Sequence, residues 1–257
     1  FIITRLFFRT DIIFDRMCYA NEVDDKQNII KNKSFNENNT ANFMLSVWFY
    51  IDNWGENLGI NKNILFIASD SSSQSAQDIF GSNAYYGITN VYDCSDNSLL
   101  KNLEIVLDKN SNDLLITIEC LCGDEGETYK YQHTRYTIKN IPVQKWNCLT
   151  LSVDTKTLDV YLDGKLRNSF ILTGLFRSSL NDNNKKDIHI GSISDNNPGF
   201  EGFITRIRFQ PNSITPQEAY NIYTSGISSY LLKSIYNKYR LKVSFLEYNQ
   251  ERGGFTI

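Results

Sequence analysis

The sequence predicts an all-β protein, two antiparallel sheets stacked as a sandwich, with one short helix near residues 216–225. Three observations predict it: side chains alternate apolar and polar with period two along most of the chain, turn residues punctuate that alternation at short intervals, and only one stretch carries helix start and stop signals. In NFMLSVWFYIDNW, Leu45, Val47, Phe49 and Ile51 point one way, and Met44, Ser46, Trp48 and Tyr50 the other. Both sets are largely apolar, the mark of an inner strand covered on each side. NILFIASD and NAYYGITNVYD read as shorter strands around the polar loop SSSQSAQ. LEIVLDKNSNDLLITIEC reads as a hairpin, with Leu103, Ile105 and Leu107 alternating into KNSND and Leu114, Ile116 and Ile118 alternating back.

CLTLSVDTKTLDVYLDGKLRNSF predicts a three-stranded meander. Leu149, Leu151 and Val153 share a face, Asp154-Thr155-Lys156 turns, and Leu158, Val160 and Leu162 share the partner face. Asp163-Gly164 then makes a second tight turn, since glycine accepts positive φ without steric cost. DIHIGSI and GFITRIRF follow a loop rich in Asn and Lys. In the latter, Phe203, Ile207 and Phe209 are expected to face inward, with Arg206 and Arg208 opposite. Thr215 is the expected N-cap, Pro216 sits at the first helical position, Glu218 completes a capping box and Gly226 stops the helix. Its stripe of Ala219, Ile222 and Tyr223 is expected to pack across one end of the sandwich. YRLKVSFLEY supplies a last strand, with Leu241, Val243 and Phe245 inward. No Pro- or Gly-rich linker and no repeat divides the chain, so residues 39–257 read as one domain and residues 1–38 as an N-terminal extension.

Composition narrows the function. The 257 residues are 41% hydrophobic and 13% aromatic, enough for a sizeable core. A net charge of -3 argues against nucleic acid, which needs a basic face to displace counterions from phosphates. Asn, Ile, Lys and Tyr abound while prolines number four, the bias of an AT-rich coding sequence. No window approaches the apolar run that spans a bilayer. FIITRLFF, at the start, reads either as a buried first strand or as the trailing end of an upstream membrane anchor. Cys18, Cys94, Cys120, Cys122 and Cys148 lack the spacing of a disulfide framework and read as packing thiols. The Cys120-x-Cys122 pair lacks two further zinc ligands, with His133 and His189 the only histidines. Two sequons stand at Asn32-Lys33-Ser34 and Asn38-Asn39-Thr40.

Several spaced motifs carry a resemblance. KWNCLTLSV, LDVYLDGKL, IHIG and GFEGFITRIRF, followed by ITPQEAYNIYTSG, resemble the laminin G-like branch of the concanavalin A-like jelly rolls over roughly residues 40 to 226. That resemblance implies that Trp146 precedes a central strand and that Gly199, Phe200 and Gly202 open the strand leading to the helix. NIPVQKWNCLTLSVDTKTLDVYLDGKL, FYIDNW and the closing YNKYRLKVSFLEYNQERGGFTI further resemble laminin G-like proteins of large double-stranded DNA viruses. This narrower likeness implies a virion component, a minor capsid or virion-membrane-associated protein that meets other capsid or virion proteins and, through an upstream anchor, the viral membrane.

Candidate chemistry is sparse. Glycoside hydrolases on this jelly roll carry E-x-D-x-E on a strand, since cleavage needs an acid and a nucleophile or base flanking the bond. The nearest patterns here, Glu22-Val23-Asp24 and Asp124-Glu125-Gly126-Glu127, read as solvated surface charge, and no nucleophile elbow accompanies either histidine. The expectation is that the protein is not an enzyme and binds no cofactor. Calcium held at the sandwich rim, as the resemblance implies, has weak candidates in Asp93, Asp96 and Asp195. Glycan binding needs exposed rings beside polar groups, for which Trp54, Tyr85, Tyr86 and Tyr92 are candidates. Arg206, Arg208 and Lys242 are the candidate rim charges of a protein-binding surface. The expected function is therefore a structural or interaction protein of a virus particle. The alternative is a lectin-like module for host attachment.

Overall fold

The computed structural model describes residues 12–23, 28–30, 41–68, 90–91, 101–122, 130–176, 187–192, 198–227, 242–247 and 250–256. In chain order the strands are β1 (Ile12–Phe14), β2 (Cys18–Tyr19), β3 (Ile29–Ile30), β4 (Phe43–Asn53), β5 (Lys62–Ala68), β6 (Asn90–Val91), β7 (Lys101–Leu107), β8 (Leu114–Cys122) and β9 (Lys130–Ile138). The meander follows as β10 (Trp146–Asp154), β11 (Thr157–Leu162) and β12 (Lys165–Ile171), then β13 (Leu175–Phe176), β14 (Asp187–Ile190) and β15 (Glu201–Gln210). Helix α1 spans Pro216–Thr224, before β16 (Lys242–Glu247) and β17 (Gln250–Thr256).

Two antiparallel sheets form the sandwich. One runs β1-β15-β4-β10-β11-β12 with β2 also on β15; the other runs β3-β14-β5-β7-β8-β9-β6 with β13 on β8. We call them the first and second sheets. The predicted alternation sets the core: Leu45, Val47, Phe49 and Ile51 from β4 and Leu149, Leu151 and Val153 from β10 pack against Leu65 and Ile67 of β5, Leu103, Ile105 and Leu107 of β7 and Ile116 and Ile118 of β8. The turns follow the sequence reading. Thr155 (φ 53°) and the pair Asp163 (φ 52°) and Gly164 (φ 71°) hold the left-handed conformations that tight hairpins require. The Asp108 carboxylate accepts from Asn110 N, Ser111 N and Ser111 Oγ to close the β7–β8 turn.

Residues ahead of position 39 supply the short strands β1 and β2 against β15 and β3 against β14. Gly199 admits that segment: a Cβ there would stand 1.7 Å from the Ala20 carbonyl oxygen.

Three expectations are corrected. Phe203 is not in the core; Ile204 is. Arg206 sits in a bulge between Thr205 and Arg208 with φ 48°, and one extra residue reverses which side chains face inward. Helix α1 does not close an end of the sandwich. It lies on the outer face of the first sheet, where Ile222 joins Met44, Trp48 and Cys148, with Tyr223 and Trp146 packed beside them. That helix explains the double apolar face of β4. The last strand joins neither sheet, since the β16 and β17 backbones pair with each other as a separate hairpin.

Helix α1 has the predicted ends. Glu218 N donates to Thr215 Oγ1 at 3.3 Å and Thr215 N donates to Glu218 Oε2 at 2.7 Å, the reciprocal capping box. Ser225 is the C-cap and Gly226 follows at φ 76°.

Strand β12 ends the first sheet. Six of its seven residues are exposed, with Ile171 at 81% and Leu166 at 52%.

Candidate functional site

The outer face of the first sheet is built from the side chains of β4, β10 and β15 that the core does not take. Cross-strand register aligns four of them. Tyr19 lies opposite Phe203, Phe203 opposite Tyr50, and Tyr50 opposite Trp146, so one aromatic from each of β2, β15, β4 and β10 falls in a single row. Tyr19 and Phe203 meet edge-on with centroids 5.6 Å apart, and Tyr50 and Trp146 at 5.5 Å. Three inter-strand steps make the row about 14 Å long. Tyr19 is exposed, at 36%, and the other three rings are half-buried, so each keeps a face or edge toward solvent.

The neighbouring row on the same face, Thr205, Trp48 and Cys148, is covered by the helix, where Tyr223 stacks on Trp48 at 5.7 Å. The helix thus borders the aromatic row on one side. On the other stand the carboxylates of Asp52 and Glu56, both exposed, and Glu201, half-exposed. The Asn21 amide donates to Glu56 Oε2 at 2.7 Å. Burial, and then Glu201, Glu56 and Asp52, push the Tyr19 phenol above its ordinary value.

A second concentration of polar groups lies on the outer face of the second sheet. Lys101 Nζ donates to Glu104 Oε1 at 3.1 Å and stands 3.9 Å above the Phe66 ring, while Arg135 Nη2 is 3.9 Å from Glu104 Oε2. Asn102 donates to Glu119 Oε2 at 2.9 Å, and His133 Nδ1 is 3.9 Å from Glu119 Oε1. Arg135 Nε donates to Thr117 Oγ1, and His189 stacks on Phe66 at 4.8 Å. All these residues are buried. Glu104 and Glu119, on adjacent strands, are the carboxylate pair that a single-strand motif search missed. Each is held against a cation or an amide, which offsets the cost of burying its charge.

The candidates named from sequence fall elsewhere. Trp54 is half-buried against the core, and the Lys62 ammonium, pushed below its ordinary value by burial, lies 4.6 Å from its ring centroid. Arg206 Nη1 donates to the carbonyls of Ser225 at 3.1 Å and Gly226 at 2.7 Å, and Arg208 Nη2 to Ser225 Oγ at 2.7 Å. Both arginines therefore tie down the helix C-terminus, where cations meet orphan carbonyls. Burial lowers both, Arg208 to about 10 with the like charge of Arg206 contributing. Tyr85, Tyr86, Tyr92, Asp93, Asp96 and Asp195 lie outside the described residues, as do Cys94, both sequons, Asp24 and the Asp124–Glu127 acids. The side chain of Lys242 does so too. Cys18, Cys120 and Cys148 are free thiols, which burial pushes to about 11, 11 and 12. Among the described residues no group of three or more His, Cys, Asp or Glu is placed to hold a metal.

The family profile of the concanavalin A-like lectin/glucanases superfamily matches residues 24–219. The chain belongs to this superfamily. No curated protein sequence matches it. Among solved structures, this concanavalin A-like chain is similar to the binding domain of botulinum neurotoxin DC in complex with rat synaptotagmin II, at 14% identity and a TM-score of 0.40, over 72% of this chain and 35% of that one. The same toxin domain in complex with SialylT gives 13% and 0.47, over 82% and 45%. Domain 4 of an extracellular arabinanase from Geobacillus stearothermophilus, in complex with arabinotriose, gives 17% and 0.41, over 81% of each chain. The chain thus spans less than half the length of the toxin domains it matches.

Proposed function

We propose that the chain is a non-enzymatic binding module that takes a glycan on the aromatic row Tyr19, Phe203, Tyr50 and Trp146. The observation that carries the reading is the register itself, four partly exposed rings on four adjacent strands. Sugar rings expose flat C–H faces that stack on aromatics, and about 14 Å of row accommodates roughly three hexose units. Large partly exposed aromatics are also the side chains that dominate binding energy when a partner covers them. The non-enzymatic part is supported by Glu104 and Glu119, whose carboxylates are buried and engaged.

A glycan array followed by titration of the best ligand tests this. Trp146→Ala is expected to weaken binding by about 2 kcal/mol, some thirtyfold, with the circular dichroism of the sandwich retained. Equal binding by that variant, or no glycan bound at all, overturns the reading.

A second reading, protein–protein contact within a virus particle, is favoured by one observation: the exposed edge β12, whose backbone can accept a strand from another chain. The particle setting follows the sequence resemblance to large DNA virus proteins. In that setting the aromatic row serves attachment to a host and β12 meets capsid or virion-membrane partners. A particle reconstruction with the chain absent from every repeated position would remove it.

A further inference from the structure

The charge around the aromatic row narrows the ligand, an argument that rests on the glycan-binding reading above. Asp52 and Glu201 stand where a bulge shifts the β4–β15 register, beside Gly202, whose carbonyl accepts from Ala20 N; Glu56 lies in the loop after β4. All three act on the Tyr19 end of the row. Among the described residues none of the three is in an ion pair, and Glu56 accepts from the neutral amide of Asn21. Among the described residues, the nearby cations have other contacts. Lys145, next to Trp146, donates to Asp163 at 2.7 Å; Lys62 lies over Trp54; Arg16 lies 5.6 Å from the Phe14 ring centroid. Among the described residues the row therefore runs from rings into an excess of negative charge.

We infer that the aromatic row selects glycans bearing ammonium groups, as a glucosamine oligomer does, over neutral and acidic ones. The C–H faces of such an oligomer stack on Trp146, Tyr50 and Phe203. An ammonium gains twice at the Tyr19 end, from the negative faces of the rings and from the carboxylates of Asp52, Glu56 and Glu201. A sialylated or otherwise acidic glycan meets the same carboxylates as repulsion, which discriminates without any added contact. The carboxylates are at least partly exposed, so the preference is moderate and depends on salt.

The test compares the affinities of the full chain for glucosamine hexamer, N-acetylglucosamine hexamer and a sialylated trisaccharide, at about pH 5.5, where aliphatic amines are protonated. The glucosamine hexamer is expected to bind about tenfold more tightly than the N-acetylated one. In about 0.5 M salt, or in the double variant Asp52→Asn with Glu201→Gln, that ratio is expected to fall toward one. The sialylated sugar is expected to bind weakest. Equal affinity for the two hexamers, or a preference that survives both salt and the double variant, overturns the inference while leaving the glycan reading in place. Binding of an oligolysine peptide without binding of the glucosamine hexamer overturns it in favour of a basic protein partner. Absence of binding to every oligosaccharide overturns both.

Discussion

Gly164 shows how tightly single residues are constrained. It turns β11 into β12 at φ 71°, and a Cβ on it would stand 2.9 Å from Tyr223 Cβ and 3.0 Å from Tyr220 Cα. Gly164→Ala combines left-handed strain with a collision against helix backbone, so it is expected to cost about 2 kcal/mol or more, read as a lowered urea midpoint at unchanged slope. Sequence reasoning found this turn because Asp-Gly between alternating strands is a local signal. It did not find the aromatic row, because Tyr19, Tyr50, Trp146 and Phe203 become neighbours only through cross-strand register, and one of them was assigned to the wrong face. The bulge at Arg206 has no local signature, as arginine is not a residue that favours positive φ. Trp54 reads as exposed because it is an aromatic in a loop, whereas in the structure it packs half-buried on the core with a buried lysine over its ring.

At the scale of elements, the helix and the bulge are one device. Arg206 holds a left-handed backbone that costs a non-glycine residue about 1 kcal/mol or more, and its guanidinium caps the carbonyls of Ser225 and Gly226. Arg206→Ala keeps the strain and loses both hydrogen bonds. Arg206→Gly loses the bonds but relieves the strain. Chemical denaturation should therefore find the alanine variant less stable than the glycine variant by about 1 kcal/mol, the reverse of their order in an ordinary strand. At the other end of the helix, Thr215→Ala opens the capping box and is expected to cost about 1 kcal/mol. The helix itself was legible residue by residue, since caps are local. Its seat on the sheet face was not read out, although Met44, Trp48 and Cys148, all apolar on the face away from the core, announced that something covers them. Strand β12 carries Lys165 and Arg167 on its exposed edge, the charges that discourage unwanted strand pairing. Replacing both with valine is expected to shift the chain toward higher oligomers in analytical ultracentrifugation.

The molecule as a whole is expected to weaken in alkali. Burial holds the thiols of Cys18, Cys120 and Cys148 at about 11, 11 and 12, above the 9.0 of a free thiol, and raises the phenol of Tyr136 as well. Above about pH 9 the unfolded chain releases these protons and the folded chain retains them, so the unfolded state binds fewer protons and stability falls as pH rises. Thermal midpoints measured from pH 8 to 11 should decline, and replacing Cys148 with alanine should flatten the decline while costing stability at neutral pH. The two-sheet architecture, its inward residues and its turns were written in period-two alternation. The C-terminal hairpin was not, because alternation identifies a strand without naming its partner. The three tryptophans give the first sheet and its border optical labels in three different surroundings. Trp48 is sealed beneath Tyr223, Trp54 lies under an ammonium, and Trp146 stands half-open in the row. Iodide should quench Trp146 emission first, and a sugar laid along the row should shield it, so binding reports itself as light without any added dye.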